Sequence, residues 1–134
     1  MTEASVRIGR EQNFLLITEQ EITGPHPYDF GTYVVEVVNG EFSGKARCYL
    51  NRNDFITLRD ALSAMHRELK GSYSFEPIEG QLVFQVTIDK FGHLHLEGEL
   101  FETAGDWSNS IKFTIGLDQT HLPDMIRSLD SLLA

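Results

Sequence analysis

The sequence predicts an α+β fold: a mainly antiparallel sheet of about six to eight strands, with two amphipathic helices packed on one face of the sheet. Short apolar stretches alternate with period two between regularly spaced turn residues, which is typical of strands joined by hairpins. Two other stretches repeat apolar residues every three or four positions, the period of an amphipathic helix. The expected order is four strands, a helix, four strands and a helix, in a single domain spanning residues 1–134.

The first half of the chain predicts a run of hairpin-linked strands. These are a short strand around Val6 and Ile8, then strands at 14–22, 32–38 and 41–50. Pro25 and Pro27 make residues 24–31 a loop, because each proline removes a backbone donor. Asn39-Gly40 between the last two strands is the strongest short hairpin signal. Alternation in the fourth strand turns Cys48 inward.

Two helices interrupt and end the strand pattern. The first has the apolar stripe Phe55, Leu58, Leu62, Met65 and Leu69, and the second has Leu122, Met125, Ile126, Leu129 and Leu132. Asn53 is the expected N-cap of the first helix, and Gly71 is expected to end it. Thr120 is the expected cap of the second helix, with Pro123 in its first turn.

The second half predicts four further strands, at 72–75, 81–89, 93–102 and 110–117. Phe91-Gly92 turns the chain between two of them, and residues 104–109 form a polar loop that holds Trp107. The strand at 93–102 turns Leu94, Leu96, Gly98 and Leu100 inward. Its other side chains therefore share one outward face.

Composition favours some function classes over others. With 20 acidic and 11 basic residues the chain has a formal charge of −9, so nucleic-acid phosphates would repel it and a basic protein would be attracted. No apolar run approaches the roughly 20 residues of a membrane helix. The N-terminus does not resemble a signal peptide. A lone cysteine, Cys48, cannot form an internal disulfide, so we expect a cytoplasmic protein.

The sequence carries none of the residue patterns that are typical of catalysis or cofactor binding. The sequence contains no nucleophile elbow, P-loop, dinucleotide fingerprint, zinc helix or EF-hand, so we expect no enzyme, no cofactor and no metal site. His93 and His95 share a face, but zinc needs at least three protein ligands. Glu97 and Glu99 share it too, whereas glycosidases place their two carboxylates on opposite sides of the sugar.

A protein-binding face is the functional hypothesis that the residues favour. It consists of the outward row His93, His95, Glu97, Glu99 and Phe101, with Asp106 and Trp107 at its end. Carboxylates would pair with Lys or Arg on a partner, and the aromatic side chains would be buried anchors. Alternatively, the charges only keep a sheet soluble and Trp107 folds back over the core.

Two other hypotheses stay open. His26, Tyr28 and Phe30 could, with Trp107 nearby, line a small-ligand pocket beside the loop at 24–31, or they could tuck under the sheet. A homodimer could form instead through the outward sheet face. Val34, Val38 and Val83 have outward parity and give that hypothesis mild support.

Three segments resemble the WapI-like family of bacterial immunity proteins. They are residues 53–71, which contain the first helix; the hairpin at 81–100, with Asp89-Lys90-Phe91-Gly92-His93-Leu94; and residues 113–122, with Asp118-Gln119-Thr120. The resemblance covers about the last two-thirds of the chain, and its motifs belong to the scaffold.

The resemblance implies a role in protecting a bacterium from a polymorphic toxin delivered by neighbouring cells. Such a protein would bind the toxin's C-terminal domain in the cytoplasm, in a toxin–antitoxin-like pair. These toxins are often nucleases with basic clefts, to which an acidic inhibitor is electrostatically suited. The resemblance assigns no residue to toxin contact.

Overall fold

The computed structural model describes residues 4–134 and contains two four-stranded antiparallel sheets and two helices. The first sheet is formed by β1 (Ser5–Arg10), β2 (Asn13–Ile22), β3 (Phe30–Asn39) and β4 (Phe42–Asn51), followed by α1 (Arg52–Glu68). The second is formed by β5 (Gly71–Phe75), β6 (Leu82–Ile88), β7 (His93–Thr103) and β8 (Asp106–Asp118). A 3₁₀ turn (Gln119–His121) and α2 (Leu122–Leu133) complete the described chain.

The α+β class and the order of elements agree with the sequence, but the expectation of one continuous sheet was wrong. Each sheet is a meander of sequential strands, β1-β2-β3-β4 and β5-β6-β7-β8. Alternation predicts which strands exist and which face each buries, but it does not determine whether β4 pairs with a later strand. Here α1 follows β4 directly, and the chain begins a second meander after it.

Both sheets and both helices contribute to one hydrophobic core. The sheets contact each other through β4 with β7 and through β3 with β8. The helices contact each other, and in addition α1 packs on β5 and α2 packs on β1. The expectation that both helices cover one sheet face was therefore wrong. Instead, α1 packs on β5, the edge strand that follows it in sequence, and α2 packs on β1, the edge strand at the other end of the chain.

The two halves of the chain have the same order of elements and corresponding packing contacts. Each half is a four-stranded meander followed by a helix. The contact of β4 with β7 corresponds to that of β8 with β3, and α1 on β5 corresponds to α2 on β1. The fold is thus a structural repeat with approximate two-fold symmetry.

The ends of the helices differ from the sequence expectations. Asn51, the last residue of β4, caps α1: its side chain accepts from the Asp54 N–H at 2.9 Å, and Asp54 accepts from the Asn51 N–H at 3.0 Å. Asn53 lies inside the helix because strand and helix join without a loop. Leu69, half exposed, ends α1 in the left-handed conformation instead of Gly71. Neither helix is long and apolar enough to cross a membrane.

The entry to α2 also differs. Asp118, not Thr120, provides the cap, since its carboxylate accepts from the Thr120 N–H at 3.2 Å and begins the 3₁₀ turn. Pro123 lies in the first turn of α2, as expected. The apolar stripe of this helix is also as expected, because Leu122, Met125, Leu129 and Leu132 are buried.

Side-chain amides bridge the two sheets where the edge strand of one approaches an inner strand of the other. Gln81 is buried, and its Nε2 donates to the carbonyls of Arg47 on β4 (2.8 Å) and Glu102 on β7 (3.0 Å). Asn39 makes a related contact, donating from Nδ2 to the Thr114 carbonyl on β8 at 3.0 Å. These amides provide hydrogen-bond partners for backbone carbonyls at the contact between the two sheets.

We therefore expect Gln81→Ala to lower the free energy of unfolding by about 2 kcal/mol. The substitution removes the hydrogen bonds that the Gln81 side chain donates to the carbonyls of Arg47 and Glu102. Urea denaturation would measure the loss. Gln85→Ala, at an exposed position on neighbouring β6, is the matched control and should change stability by less than about 0.5 kcal/mol. Equal effects of the two substitutions would contradict the bridging role.

Candidate protein-binding site

The outward face of β7 carries the row that the sequence predicts. Leu94, Leu96 and Leu100 are buried, whereas His93, His95, Glu97, Glu99 and Phe101 lie on the opposite face and are exposed or half-buried. β7 is an inner strand that pairs with β6 on one side and with β8 on the other. The row therefore runs through the interior of a sheet face, with neighbours on both sides.

Trp107 lies at the end of this row, on a strand rather than in a loop. The polar loop expected at 104–109 is a short turn, and β8 begins at Asp106 after an irregularity in its register with β7. The indole is 54% exposed and packs edge-to-face on Phe101, with ring centroids 4.8 Å apart. Its far edge lies over Gly80 in the turn before β6. Trp107 thus extends the outward face and does not fold back over the core.

Asp106 is held in the turn that leads to Trp107. Its carboxylate accepts from the hydroxyl of Ser108 at 2.7 Å and from the Ser108 N–H at 3.1 Å. These two hydrogen bonds lower the pKa of Asp106 below its ordinary value. Asp106 therefore stays ionised beside the exposed tryptophan.

His93 and His95, at the other end of the row, contact a shared carboxylate. Asp89 Oδ2 lies 3.0 Å from His95 Nε2 and 3.6 Å from His93 Nδ1. The hydrogen bond with His95, followed by those from the backbone of His93 and Phe91, lowers the pKa of Asp89 to about 2. Among residues 4–134 no three His, Cys, Asp or Glu side chains are grouped to hold a metal ion. Because the Asp89 carboxylate accepts from the N–H groups of Phe91 and His93, the cluster holds the turn between β6 and β7.

A groove of about 520 Å³ crosses the middle of this face. Cross-strand rows line it, one of them formed by Ser74, Gln85, Glu97 and Thr114. Glu97 is exposed there and makes no hydrogen bond or ion pair with any residue in 4–134. Glu99 instead accepts from the Ser110 hydroxyl at 2.6 Å. The two glutamates of the predicted row therefore differ, because only Glu99 accepts a side-chain hydrogen bond within residues 4–134.

Sequence reasoning did not find several residues of this face. Glu76, directly after β5, adds a third carboxylate to the groove, and Lys112 lies opposite Glu99 on β8. Phe42, 76% exposed, borders a depression shared with Ser110 and Lys112. Alternation within its strand predicts that Lys112 faces outward. Its position beside Glu99 follows only from the register between β7 and β8. Phe42 belongs to the other sheet, so no local pattern indicated its position.

In the loop before β3, the rings of His26 and Tyr28, which one alternative placed in a ligand pocket, lie at the surface. Tyr28 is 61% exposed and His26 is also exposed, and their rings contact each other at 5.4 Å. The His26 N–H donates to Asp29 at 3.0 Å, so the loop is held by its own residues. Trp107 packs on Phe101 of the second sheet instead.

Other candidate positions are also resolved by the fold. Cys48 is buried, as its inward parity predicts, and burial raises the pKa of its thiol to about 12. Val34 and Val38 lie half-buried on the outward face of the first sheet, while Val83 lies on the second. They cannot belong to one contact surface on a single sheet, as the homodimer hypothesis assumed.

The family model of the immunity protein WapI-like family matches residues 27–134, from the loop before β3 to the end of the chain. The chain belongs to the WapI-like immunity protein family. The match extends the resemblance noted in the sequence toward the N-terminus, and it includes the groove and the whole second sheet. No curated protein matches the chain.

Two of the segments that carry the WapI-like resemblance meet in the structure. The Gln119 N–H donates to the Gly92 carbonyl at 3.0 Å, and the Gln119 side chain lies against Gly92, whose positive φ of 83° favours glycine. The Asp118-Gln119-Thr120 motif thus fastens the start of α2 to the turn between β6 and β7. This contact maintains the scaffold at the histidine end of the outward row.

Proposed function

We propose that this WapI-like chain neutralises a cognate bacterial toxin by binding its toxic domain in the cytoplasm, and that it acts by contact rather than by catalysis. The observation that carries the proposal is the outward face of the second sheet. An aromatic pair, half-buried Phe101 and exposed Trp107, lies there beside a groove whose Glu97 has no side-chain partner within residues 4–134. Aromatic anchors next to charged side chains that have no ion-pair partner in their own chain are typical of binding hot spots.

The distribution of charge supports a basic partner. Residues 71–134 contain ten Asp and Glu against three Lys and Arg, whereas residues 1–70 contain ten against eight. The half that forms the second sheet therefore accounts for most of the net charge of −9. A field of this sign accelerates encounter with a positively charged cleft, and the acceleration decreases as salt is added.

Each part of the face has a distinct role in this proposal. Trp107 and Phe101 are buried in the complex and contribute most of its affinity. Glu97 pairs with Lys or Arg of the toxin, and a bidentate guanidinium contact would also fix the orientation. His93 and His95, together with Asp89, define the far rim of the contact.

The test is co-expression with candidate toxin domains taken from the reading frames adjacent to this gene. We expect the two proteins to co-purify and the chain to restore growth of cells that express the toxin. Trp107→Ala should weaken the complex about 30-fold, equivalent to about 2 kcal/mol, as measured by calorimetry. Tyr49→Ala is the matched control, since Tyr49 is 49% exposed on the first sheet and should not alter affinity.

Two results would reject the proposal. One is failure of the pair to co-purify together with failure to rescue growth. The other is equal weakening by the substitutions at Trp107 and Tyr49, because the contact would then not be centred on the second sheet.

A further inference from the structure

The face that carries the groove on the second sheet has a counterpart on the first sheet, because each half of the repeat provides one such face. Asn51 and Asp118 both end a fourth strand and cap the structure that follows, and this equivalence aligns β4 with β8. The strand registers then align the other strands. Gly44 and Ile111 become equivalent, and these two positions contact each other, as expected near a two-fold axis.

On the first sheet the equivalent place is a smaller depression of about 210 Å³. It is lined by Leu16, Thr18, Val34, Glu36 and Lys45. Their equivalents are Val83, Gln85, Glu97, Glu99 and Lys112, and all five line the larger groove. One scaffold therefore presents two versions of one surface, which serve as an internal comparison.

The two versions differ chiefly in charge. Glu36 corresponds to Glu99 and Lys45 to Lys112, so these two positions keep their charges. The changed pairs are Arg7 with Glu76, Val34 with Glu97, and Arg47 with Thr114. At these positions, Arg7, Lys45 and Arg47 against Glu36 sum to +2 on the first sheet, whereas Glu76, Glu97 and Glu99 against Lys112 sum to −2 on the second.

We propose that Glu76, Glu97 and Thr114 are the specificity determinants of the second-sheet groove, and that together they make it a receptor for an arginine or lysine side chain of a protein partner. The inference deepens the proposed function and rests on it. Glu97 supplies negative charge from β7, and Glu76 supplies it from the position directly after β5. Thr114 is neutral where the first sheet has the cation Arg47. Charge complementarity with a cationic segment follows from these three positions.

The state of the individual side chains supports this assignment. Glu99 accepts from Ser110 and lies opposite Lys112, so part of its charge is already compensated within the face. Glu97 has no such partner among the described residues. On the first sheet, the Arg7 guanidinium lies over the Phe14 ring, 4.1 Å from its centroid. A guanidinium from a partner would meet like charge there and carboxylates on the second sheet.

The experiment is an NMR titration of the isotope-labelled full chain with a short oligo-arginine peptide. We expect amide shifts concentrated around Gln85, Glu97 and Thr114, and none at the equivalent Thr18, Val34 and Arg47. In the variant Glu76→Arg/Glu97→Val/Thr114→Arg, which exchanges the three residues for their counterparts, affinity should decrease at least about tenfold. Circular dichroism and urea denaturation confirm that the variant folds.

The opposite exchange, Arg7→Glu/Val34→Glu/Arg47→Thr on the first sheet, is the matched control. It should leave the second-sheet shifts unchanged and produce new shifts on the first sheet. Shifts spread over acidic residues throughout the chain would overturn the inference, since the peptide would then report net charge alone. Equal affinity of the exchanged and original proteins would overturn it as well.

The toxin domain separates this inference from the proposed function. If the toxin fails to bind while the peptide still binds in the groove, the proposed function is rejected. The groove is then still a receptor for cationic side chains. A toxin that binds the original protein and the exchanged second-sheet variant equally well rejects the specificity determinants and retains the immunity role.

Discussion

Replacement of Phe55 by alanine is expected to lower the free energy of unfolding by about 4 kcal/mol. The Phe55 ring is fully buried and connects the two sheets through α1, with its centroid 5.1 Å from that of Tyr33 on β3 and 6.3 Å from that of Phe75 on β5. Phe75 in turn stacks on Phe84 at 4.7 Å. Removing Phe55 leaves a cavity at the point where sheets and helix meet, which neither sheet can fill by moving alone.

Urea denaturation monitored by circular dichroism measures this loss. Phe91→Ala is the control, because Phe91 is 73% exposed in the turn between β6 and β7 and should cost less than about 0.5 kcal/mol. A loss below about 2 kcal/mol for Phe55→Ala would show that this ring does not connect the sheets. Because the change lies in the core, calorimetry on the folded fraction should show toxin affinity unchanged.

Much of the secondary structure could be predicted because each signal is local. Asn39-Gly40 marks the hairpin between β3 and β4, and the inward parity of Cys48 follows from alternation within one strand. The division into two sheets could not be predicted, since it depends on which edge strands pair. Bridging by Gln81 is likewise invisible in the sequence, where a buried glutamine and an exposed one look the same. The predicted N-cap of the first helix was wrong because β4 continues through Asn51 and joins α1 without a loop, so that Asn51 and not Asn53 is the cap.

The candidate site could be predicted in part for the same reason. The row from His93 to Phe101 belongs to one strand, so period-two alternation places it on one face. Glu76 and Phe42 come from other strands and meet this face only through register and sheet packing. Trp107 was assigned to a loop because its neighbours are polar, whereas pairing with β7 makes the segment part of β8.

A last prediction concerns Gly98, which lies at the centre of the candidate site. Its inward side is filled: a Cβ there would approach the Val83 carbonyl oxygen to 2.4 Å and the Phe113 ring to 2.7 Å. Since a backbone atom is the nearest obstacle, the sheet itself would have to move. We therefore expect Gly98→Ala to lower the free energy of unfolding by about 3 kcal/mol in urea denaturation.

Gly116 on neighbouring β8 makes the comparison decisive. Apart from its two chain neighbours, no residue in the described part of the chain lies within 4 Å of the Cβ position at Gly116. Alanine there should therefore be neutral or stabilise by up to about 1 kcal/mol through reduced backbone entropy of the unfolded chain. Equal effects at Gly98 and Gly116 would show that steric crowding is not the cause. Crowding under Gly98 also has a functional consequence, because Glu97 and Glu99 flank it and any shift of β7 moves both carboxylates. Where Gly98→Ala still folds, its affinity for the cationic peptide should therefore decrease, whereas Gly116→Ala should bind the peptide as the original protein does.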